Sequence, residues 1–211
     1  MGQIWQRGEE HDGIVVIQKP DDLLLLMGAR RGHFVFESGY HGDLWLDLDG
    51  MFAAPSQLGG MLDDLSRRIA AVGPDVVCRP MTGGALVAFA VAARLKVGFR
   101  WTYREQMPSG QGLFPYRYHL VAGGSQLARQ RVVVVDDVIN AGSATRETLR
   151  LLREQNATPV AIGALLTLGQ TPKVFARDEG LELLTLANAG NSLWAPDHCP
   201  LCAAGEPIAP G

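Results

Sequence analysis

The fold of this chain is decided by residues 132–147, which read VVVVDDVINAGSATRE. The four valines from Val132 to Val135 form a run that is apolar on both faces, as expected of a buried parallel strand. Asp136 and Asp137 follow directly, and open α/β sheets bind their ligands at the carboxyl ends of such strands. The stretch therefore predicts a buried strand that ends at a polar site.

A turn of small residues follows the two acids. Its members are Asn140, Ala141, Gly142, Ser143 and Ala144. A helix is predicted from residue 144 to residue 156, and its positive N-terminal end would point at the same place. Backbone N–H groups at a helix N-terminus bind phosphate, so this turn is a candidate phosphate-binding loop. The structural alternative is that the acids simply end the strand in solvent, since strand–turn–helix units occur in every α/β protein.

Composition describes an ordinary globular protein. The chain has 211 residues, 47% hydrophobic and 19% charged, which suffices for one domain with a sizeable core. Its net charge of −3 gives no electrostatic reason to expect nucleic acid as a partner. No apolar run approaches the ~18 residues of a membrane span, and no signal-peptide pattern is present. We therefore expect a cytoplasmic protein with no membrane partner.

Hydrophobic periodicity and turn residues predict the other elements. Strands are expected at 14–17, 75–78, 97–103, 160–168 and 180–187, helices at 21–31, 55–72 and 85–95, a hairpin at 33–48 and a long mobile loop at 106–124. Alternating helices and strands predict an α/β fold with a parallel sheet covered on both faces. Three regions are expected: 1–50 with the hairpin, a core at 51–190, and a tail at 191–211 with a Cys-x-x-Cys motif.

Several segments together resemble the type I phosphoribosyltransferase family, and most closely its orotate phosphoribosyltransferase branch. Residues 132–147 are similar to the family's phosphoribosyl pyrophosphate signature. Weaker similarities to the orotate branch are found in the hairpin at 32–39, the strand and loop at 74–84, Tyr103-Arg104-Glu105 and the tail at 199–207. The resemblance implies a central, mostly parallel twisted sheet flanked by helices, with a small N-terminal hood.

The resemblance also implies a reaction in which a ring nitrogen displaces pyrophosphate from C1 of 5-phosphoribosyl 1-pyrophosphate. Asp136 and Asp137 would bind the ribose hydroxyls, and residues 140–144 would bind the 5′-phosphate. The pyrophosphate would meet a loop made of Arg79, Thr82, Gly83 and Gly84. For Arg79 and Arg104, structural ion pairing is an equally good explanation. Arg104 would act from the catalytic loop, Mg²⁺ would neutralise the pyrophosphate, and the enzyme would be a homodimer.

Two departures from the family pattern concern cationic residues. The family's mobile loop carries a lysine that neutralises the departing pyrophosphate, but no lysine lies between Lys96 and Lys173. The family also holds the orotate carboxylate with an arginine after the strand that follows the signature helix, and residues 165–172 contain none. Burying a carboxylate without a cationic partner costs several kcal/mol, so orotate itself is disfavoured as the base.

Two classes of function therefore remain open. The preferred one is a phosphoribosyltransferase of nucleotide metabolism that acts on a nitrogen heterocycle. The alternative is a non-catalytic sensor that binds phosphoribosyl pyrophosphate or a nucleotide and regulates a partner. The missing loop lysine favours the sensor, whereas the long loop and Tyr103-Arg104-Glu105 favour the enzyme.

The cysteines give a weaker signal. Cys199 and Cys202 form a Cys-x-x-Cys motif beside His198, and all three are possible zinc ligands. One pair without a second pair is weak evidence, so a tail without metal is the preferred interpretation. Cys78 is expected in the core, and an odd number of cysteines does not indicate a disulfide framework.

The remaining histidines are judged by their surroundings in the sequence. His33 and His41 belong to the predicted hairpin, where surface or hairpin packing is a better explanation than ligand contact. His119 lies in the predicted mobile loop and is the histidine best placed to handle a proton.

Overall fold

A computed structural model describes residues 20–36, 39–53, 55–80, 84–106, 116–121 and 127–211. The predicted strand at 14–17 and the candidate residues Thr82 and Gly83 lie outside these ranges. Among the described residues, no helix combines the length and the apolar character that a membrane crossing requires.

The described residues form nine strands and seven α-helices. The strands are β1 (Arg30–Val35), β2 (His41–Trp45), β3 (Val76–Pro80), β4 (Gly98–Gln106), β5 (Tyr116–Leu120), β6 (Arg131–Ile139), β7 (Thr158–Leu168), β8 (Glu182–Ala189) and β9 (Leu193–Trp194). The helices are α1 (Pro20–Leu26), α2 (Leu48–Ala53), α3 (Gly59–Ala70), α4 (Ala85–Leu95), α5 (Ser143–Glu154), α6 (Thr171–Asp178) and α7 (Pro200–Ala203).

Six strands form the central sheet, in the order β5-β4-β3-β6-β7-β8. All neighbours are parallel except β5, which pairs antiparallel with β4 at one edge. This mixed α/β architecture, with a mostly parallel sheet flanked by helices, confirms the predicted fold class.

Alternate residues of β6 face opposite layers of the core. Val133 and Val135 belong to the apolar cluster that contains the buried side chains of α3 and α4. Val132 and Val134 belong to a second cluster, which contains those of α5 and α6. All four valines are fully buried, which confirms that this strand is apolar on both faces because helices cover both sides.

A second, smaller sheet joins distant parts of the chain. β2 pairs antiparallel with β1 on one side and with β9 on the other. Residues of the predicted tail therefore complete a sheet begun by the predicted hairpin.

Several predicted boundaries were wrong, part of the predicted loop at 106–124 is a strand, and two short helices were not predicted. Residues 116–120 form β5 and not part of a loop, because their backbone groups pair with β4. β6 continues through both acids to Ile139, since β7 extends alongside it. The predicted helix at 21–31 ends at Leu26, and residues 30–35 begin the small sheet. α2 and α6 were not predicted, because with six and eight residues each is too short to show a periodic apolar face.

Candidate active site

Asp136 and Asp137 are the sixth and seventh of the nine residues of β6, an inner strand of the sheet that pairs with β3 and β7. Both acids are buried, with 7% and 3% of their surfaces exposed. Asp136 Oδ1 accepts a hydrogen bond from the backbone N–H of Asp137 at 2.8 Å, and Asp137 Oδ1 accepts one from Val138 at the same distance. The predicted alternative of a solvated strand end does not fit this degree of burial.

Arg79 supplies the positive charge that these two carboxylates need. It lies on the neighbouring strand β3 and is itself 2% exposed. Its Nη2 donates to Oδ1 of Asp136 and lies 3.3 Å from Oδ1 of Asp137. The side chain of Arg79 is therefore committed to a buried ion-pair triad with both acids, while its backbone remains the predicted contact for pyrophosphate.

The triad shifts the proton equilibrium of one acid. Burial raises the pKa of Asp136 well above its usual value, and the hydrogen bond with Asp137 raises it further, against the lowering effect of Arg79. Two carboxylates beside one guanidinium would leave a net negative charge in the interior, and a proton on Asp136 removes it.

Gly84 leaves the space in which the triad packs. It precedes the first residue of α4, and its φ of −77° is one that any residue adopts. A Cβ built on it would lie 2.5 Å from both Nη1 of Arg79 and Cγ of Asp137. Glycine is thus required at position 84 for steric reasons. The sequence analysis had included Gly84 for a different reason, as part of the loop that would meet pyrophosphate.

The candidate phosphate-binding loop adopts the geometry that anion binding needs. Gly142 precedes α5 with a φ of 73°, a left-handed conformation that favours glycine. The N-cap residue Gly142 has no side chain that could cap α5, and the N–H groups of the first turn have no intrahelical partner. Ala141 and Ser143 are exposed on either side of Gly142, which leaves the loop backbone accessible.

Helix α6 packs against this loop. The sequence analysis predicted neither this helix nor its contact with the loop. The ring of Phe175 is buried, and a Cβ on Gly142 would lie 3.2 Å from it. The guanidinium of Arg146, one turn into α5, lies 4.3 Å from the centre of the same ring. Glu179 pairs with Arg146 and Arg153 at 3.7 and 2.6 Å. The proline at the first turn of α6 was the available signal for this helix.

Arg104 and His119 lie on the ribbon formed by β4 and β5, on opposite faces. Thr102 faces α5, where its Oγ1 lies 3.3 Å from that of Thr148, and Arg104 shares this face because it is two residues further along the strand. His119 is opposite Tyr103 in register, stacks on its ring at 5.2 Å and contacts Glu105 at 3.0 Å. The ribbon therefore places Arg104, and not His119, toward the phosphate-loop side.

The segment that would hold an orotate carboxylate is filled by neutral groups. Nδ2 of Asn188 donates to Oγ1 of Thr167 at 3.0 Å and to the carbonyl of Gly169 at 2.8 Å. Thr167 is buried, and Gly169 has a left-handed φ of 67°. Among these contacts there is no cation, in agreement with the lack of arginine in residues 165–172.

Four other side chains that the sequence analysis considered as possible ligands lie together at the small sheet and not in the central sheet. His33, His41, Cys199 and Cys202 meet at the small sheet, whereas His198 is exposed and outside this group. His33 and His41 are buried, at 3% and 8% exposure, so they are not surface residues. Their grouping was not predicted.

A family model for the phosphoribosyl transferase domain matches residues 56–177, which is more than half of the chain. The chain belongs to this family. The matched region runs from the helical segment before α3 to α6 and so contains the triad, Gly84 and the candidate phosphate-binding loop.

Curated relatives extend the similarity to most of this phosphoribosyltransferase-family chain. The orotate phosphoribosyltransferase of Campylobacter curvus is 28% identical over 194 residues, covering 86% of this chain and 91% of that protein. The orotate phosphoribosyltransferase of Acidithiobacillus ferrooxidans is 29% identical over 209 residues, covering 95% and 96%.

Solved structures agree at the level of the fold. The orotate phosphoribosyltransferase of Aeropyrum pernix has a TM-score of 0.64 at 24% identity, with 79% of this chain and 92% of that chain covered. The adenine phosphoribosyltransferase of Thermoanaerobacter pseudethanolicus has a TM-score of 0.65 at 18% identity, with 80% and 99% covered. These values show the type I phosphoribosyltransferase fold.

The close packing at Gly84 predicts that Gly84→Ala weakens the protein. The added methyl group must displace Arg79 or Asp137, which opens the ion-pair triad, and we expect the free energy of unfolding to fall by about 1–3 kcal/mol. Urea denaturation monitored by circular dichroism measures this loss. Gly60→Ala, in α3 where a Cβ meets nothing within 4 Å, is the matched control and should keep or increase stability. Equal effects of both substitutions would contradict the packing argument.

The raised pKa of Asp136 predicts a pH-dependent stability. Above about pH 4 the unfolded chain has lost this proton while the folded protein retains it, so the free energy of unfolding falls with rising pH by up to about 1.4 kcal/mol per unit. The free energy of unfolding continues to fall until the pH exceeds the raised pKa of Asp136. Asp136→Asn has no titrating group at this position. The free energy of unfolding of this variant minus that of the wild type should therefore increase as the pH rises. Urea denaturation of both proteins from about pH 4 to about pH 8 tests this, and a constant difference would show that the pKa is not raised.

Proposed function

We propose that this protein transfers phosphoribose from 5-phosphoribosyl 1-pyrophosphate to a ring nitrogen of a nitrogen heterocycle and releases pyrophosphate. One observation carries the proposal: an acidic pair and an uncapped helix N-terminus lie at the two ends of residues 136–144, at the carboxyl edge of the parallel sheet. The first group suits sugar hydroxyls, and the second suits a phosphate.

Each acid keeps one oxygen for the ribose. In the hydrogen bonds between described residues, both carboxyl groups are engaged through Oδ1, so Oδ2 of each is the atom that would meet a ribose hydroxyl, as an acceptor on Asp137 and as a donor on Asp136 while Asp136 holds its proton. A buried ion pair with Arg79 also fixes the orientation of both side chains before the substrate arrives. Such preorganisation lowers the cost of positioning the sugar for attack at C1.

The chemical step needs stabilisation more than covalent participation by the protein. The ring nitrogen forms a bond to C1, the bond from C1 to the pyrophosphate oxygen breaks, and pyrophosphate leaves with the electron pair. When bound with the substrate, Mg²⁺ supplies charge neutralisation on the pyrophosphate, with few protein ligands and several waters. Asp136 and Asp137 are already paired with Arg79, so they fit the hydroxyls better than the metal.

The remaining candidates take their roles from the same geometry. Residues 140–144, that is Asn140 to Ala144, bind the 5′-phosphate through backbone N–H groups. Arg104 lies on the face of β4 that is directed to α5 and meets the negative charge of the substrate. Backbone groups of Arg79, Thr82, Gly83 and Gly84 meet the pyrophosphate. By resemblance the enzyme is a cytoplasmic homodimer with a hood at 1–50, a core at 51–190 and a tail at 191–211.

The base is an open part of the proposal. The curated relatives are named for orotate, but the position expected to hold its carboxylate has neutral contacts from Asn188 and Thr167. We therefore propose a heterocycle that lacks a carboxylate at this position. A non-catalytic sensor of phosphoribosyl pyrophosphate is the second candidate, favoured by the absence of lysine between residues 96 and 173.

The function is tested by pyrophosphate release. The purified protein is incubated with phosphoribosyl pyrophosphate, Mg²⁺ and a panel of bases that includes orotate, uracil, adenine, hypoxanthine and nicotinic acid. Base-dependent release, with the matching nucleotide identified by mass spectrometry, supports the enzyme, and orotate should be a poorer substrate than the preferred base. Binding of phosphoribosyl pyrophosphate without turnover of any base would support the sensor, and no binding at all would exclude both.

Asp137→Asn tests the acidic pair. Loss of one carboxylate removes an acceptor for a ribose hydroxyl and one ion-pair partner of Arg79, so the affinity for phosphoribosyl pyrophosphate should fall about tenfold or more. Isothermal titration calorimetry with Mg²⁺ measures this change, and circular dichroism checks that the variant is folded. Asp178→Asn, which removes an exposed acid of α6, is the matched control and should bind normally. Unchanged affinity of Asp137→Asn would remove the acid from the site.

A further inference from the structure

Four metal-binding side chains from three places in the chain converge at the small sheet. They are His33 of β1, His41 of β2, and Cys199 and Cys202 at the start of α7. One nitrogen or sulfur atom from each lies within 4.8 Å of all the others. From this arrangement we propose a structural zinc site, separate from the transferase site and independent of the proposed function.

The distances fit tetrahedral coordination. Nε2 of His33 is 3.6 Å from Sγ of Cys199 and 3.6 Å from Sγ of Cys202, and Nδ1 of His41 is 3.3 Å from Sγ of Cys202. Ligand atoms around a tetrahedral zinc ion, at ~2.0–2.1 Å for nitrogen and ~2.3 Å for sulfur, lie about 3.3–3.8 Å apart. The two nitrogens are 2.8 Å apart, so the imidazole rings need to separate by only about half an ångström around the ion.

The tautomer of His33 is set by its surroundings. Its Nδ1 lies 2.9 Å from the backbone carbonyl oxygen of Glu206, which can only accept a hydrogen bond. Nδ1 therefore carries the proton, and Nε2 presents its lone pair to the other three ligands. A backbone carbonyl that orients the ring of a metal-bound histidine is a common feature of zinc sites.

The local backbone also directs the ligands inward. Arg31 pairs with Leu44 and Phe34 pairs with Gly42, so the two residues Gly32 and His33 of β1 lie opposite Asp43 alone. This is the arrangement of a β-bulge, a feature that commonly redirects a side chain. Three of the four ligands are buried, with Cys199 and His33 at 4% and 3% exposure, which suits a closed structural site rather than an open catalytic one.

Zinc is the metal that this donor set selects. Two thiolates and two imidazoles in a tetrahedron match the ligand preference of Zn²⁺, whereas Mg²⁺ and Ca²⁺ require oxygen ligands. The ion would join residues 33 and 41 to residues 199 and 202. α7 has only four residues and gains little stability from its own hydrogen bonds, so a metal cross-link would hold it in place.

The metal content of tag-free protein, purified without chelators under reducing conditions, tests the site. Inductively coupled plasma mass spectrometry should find about one zinc ion per chain in the wild type. Cys202→Ser and His41→Asn should each lose most of it. His198→Asn, an exposed residue on the adjacent turn and outside the ligand set, is the matched control and should keep its zinc.

A second measurement uses the wild-type protein and needs no folded variant. After metal removal, addition of Co²⁺ should give the intense visible bands of tetrahedral thiolate coordination, and Zn²⁺ should abolish them. Removal of zinc should also speed hydrogen exchange at the amide of Ala209, which donates to the carbonyl of His33 at 2.7 Å.

Three results would overturn the proposal. The first is a wild-type protein that contains no stoichiometric zinc and takes up neither Zn²⁺ nor Co²⁺ under reducing conditions. The second is a zinc content of the Cys202→Ser and His41→Asn variants that equals the zinc content of the wild type. The third is equal loss of zinc from the His198→Asn control and from the ligand variants. None of these results depends on which base the transferase uses.

Discussion

The candidate site depends on one energetically unfavourable feature, the burial of two adjacent acidic side chains inside a parallel sheet. Asp136 and Asp137 can remain in the interior because the guanidinium of Arg79 arrives from the next strand and because the strand's own amides donate to them. Removal of one member of this triad would leave an uncompensated charge in the interior. The resulting loss of stability is much larger than the stability that an exposed ion pair contributes. The absence of a side chain at Gly84 is a direct consequence, since the guanidinium occupies that space.

The candidate phosphate-binding loop is supported by α6 through both the apolar packing of Phe175 and the ion pair between Glu179 and Arg146. Gly142 takes up a left-handed conformation over the buried ring of Phe175, and the guanidinium of Arg146 covers the same ring. The loop therefore owes its shape to α6, which follows the next strand in the chain. The acids and the loop are held by different neighbours, so one can be altered without the other.

Much of the fold could be predicted because its signals are local. α4 was predicted at its observed bounds because the segment is rich in alanine, and the structure ends it before Lys96, which has a left-handed conformation. β6 was predicted as a strand apolar on both faces, but its length depends on pairing with β7, which a single segment does not reveal. β5 was missed because its alternating polar residues make sense only beside β4. The histidine and cysteine ligands were separated by more than 150 positions, and only the folded chain brings them together.

The small sheet has a consequence for the order of events during synthesis. β1 and β2 are made before the six strands of the central sheet, and β9 is made after them. A nascent chain therefore carries β1 and β2 with an unpaired edge until β9 emerges, while the six strands of the larger sheet can already pair. The small sheet can therefore close only after every strand of the central sheet has been made, so the pairing of β9 with β2 marks a chain whose central sheet is already fully synthesised.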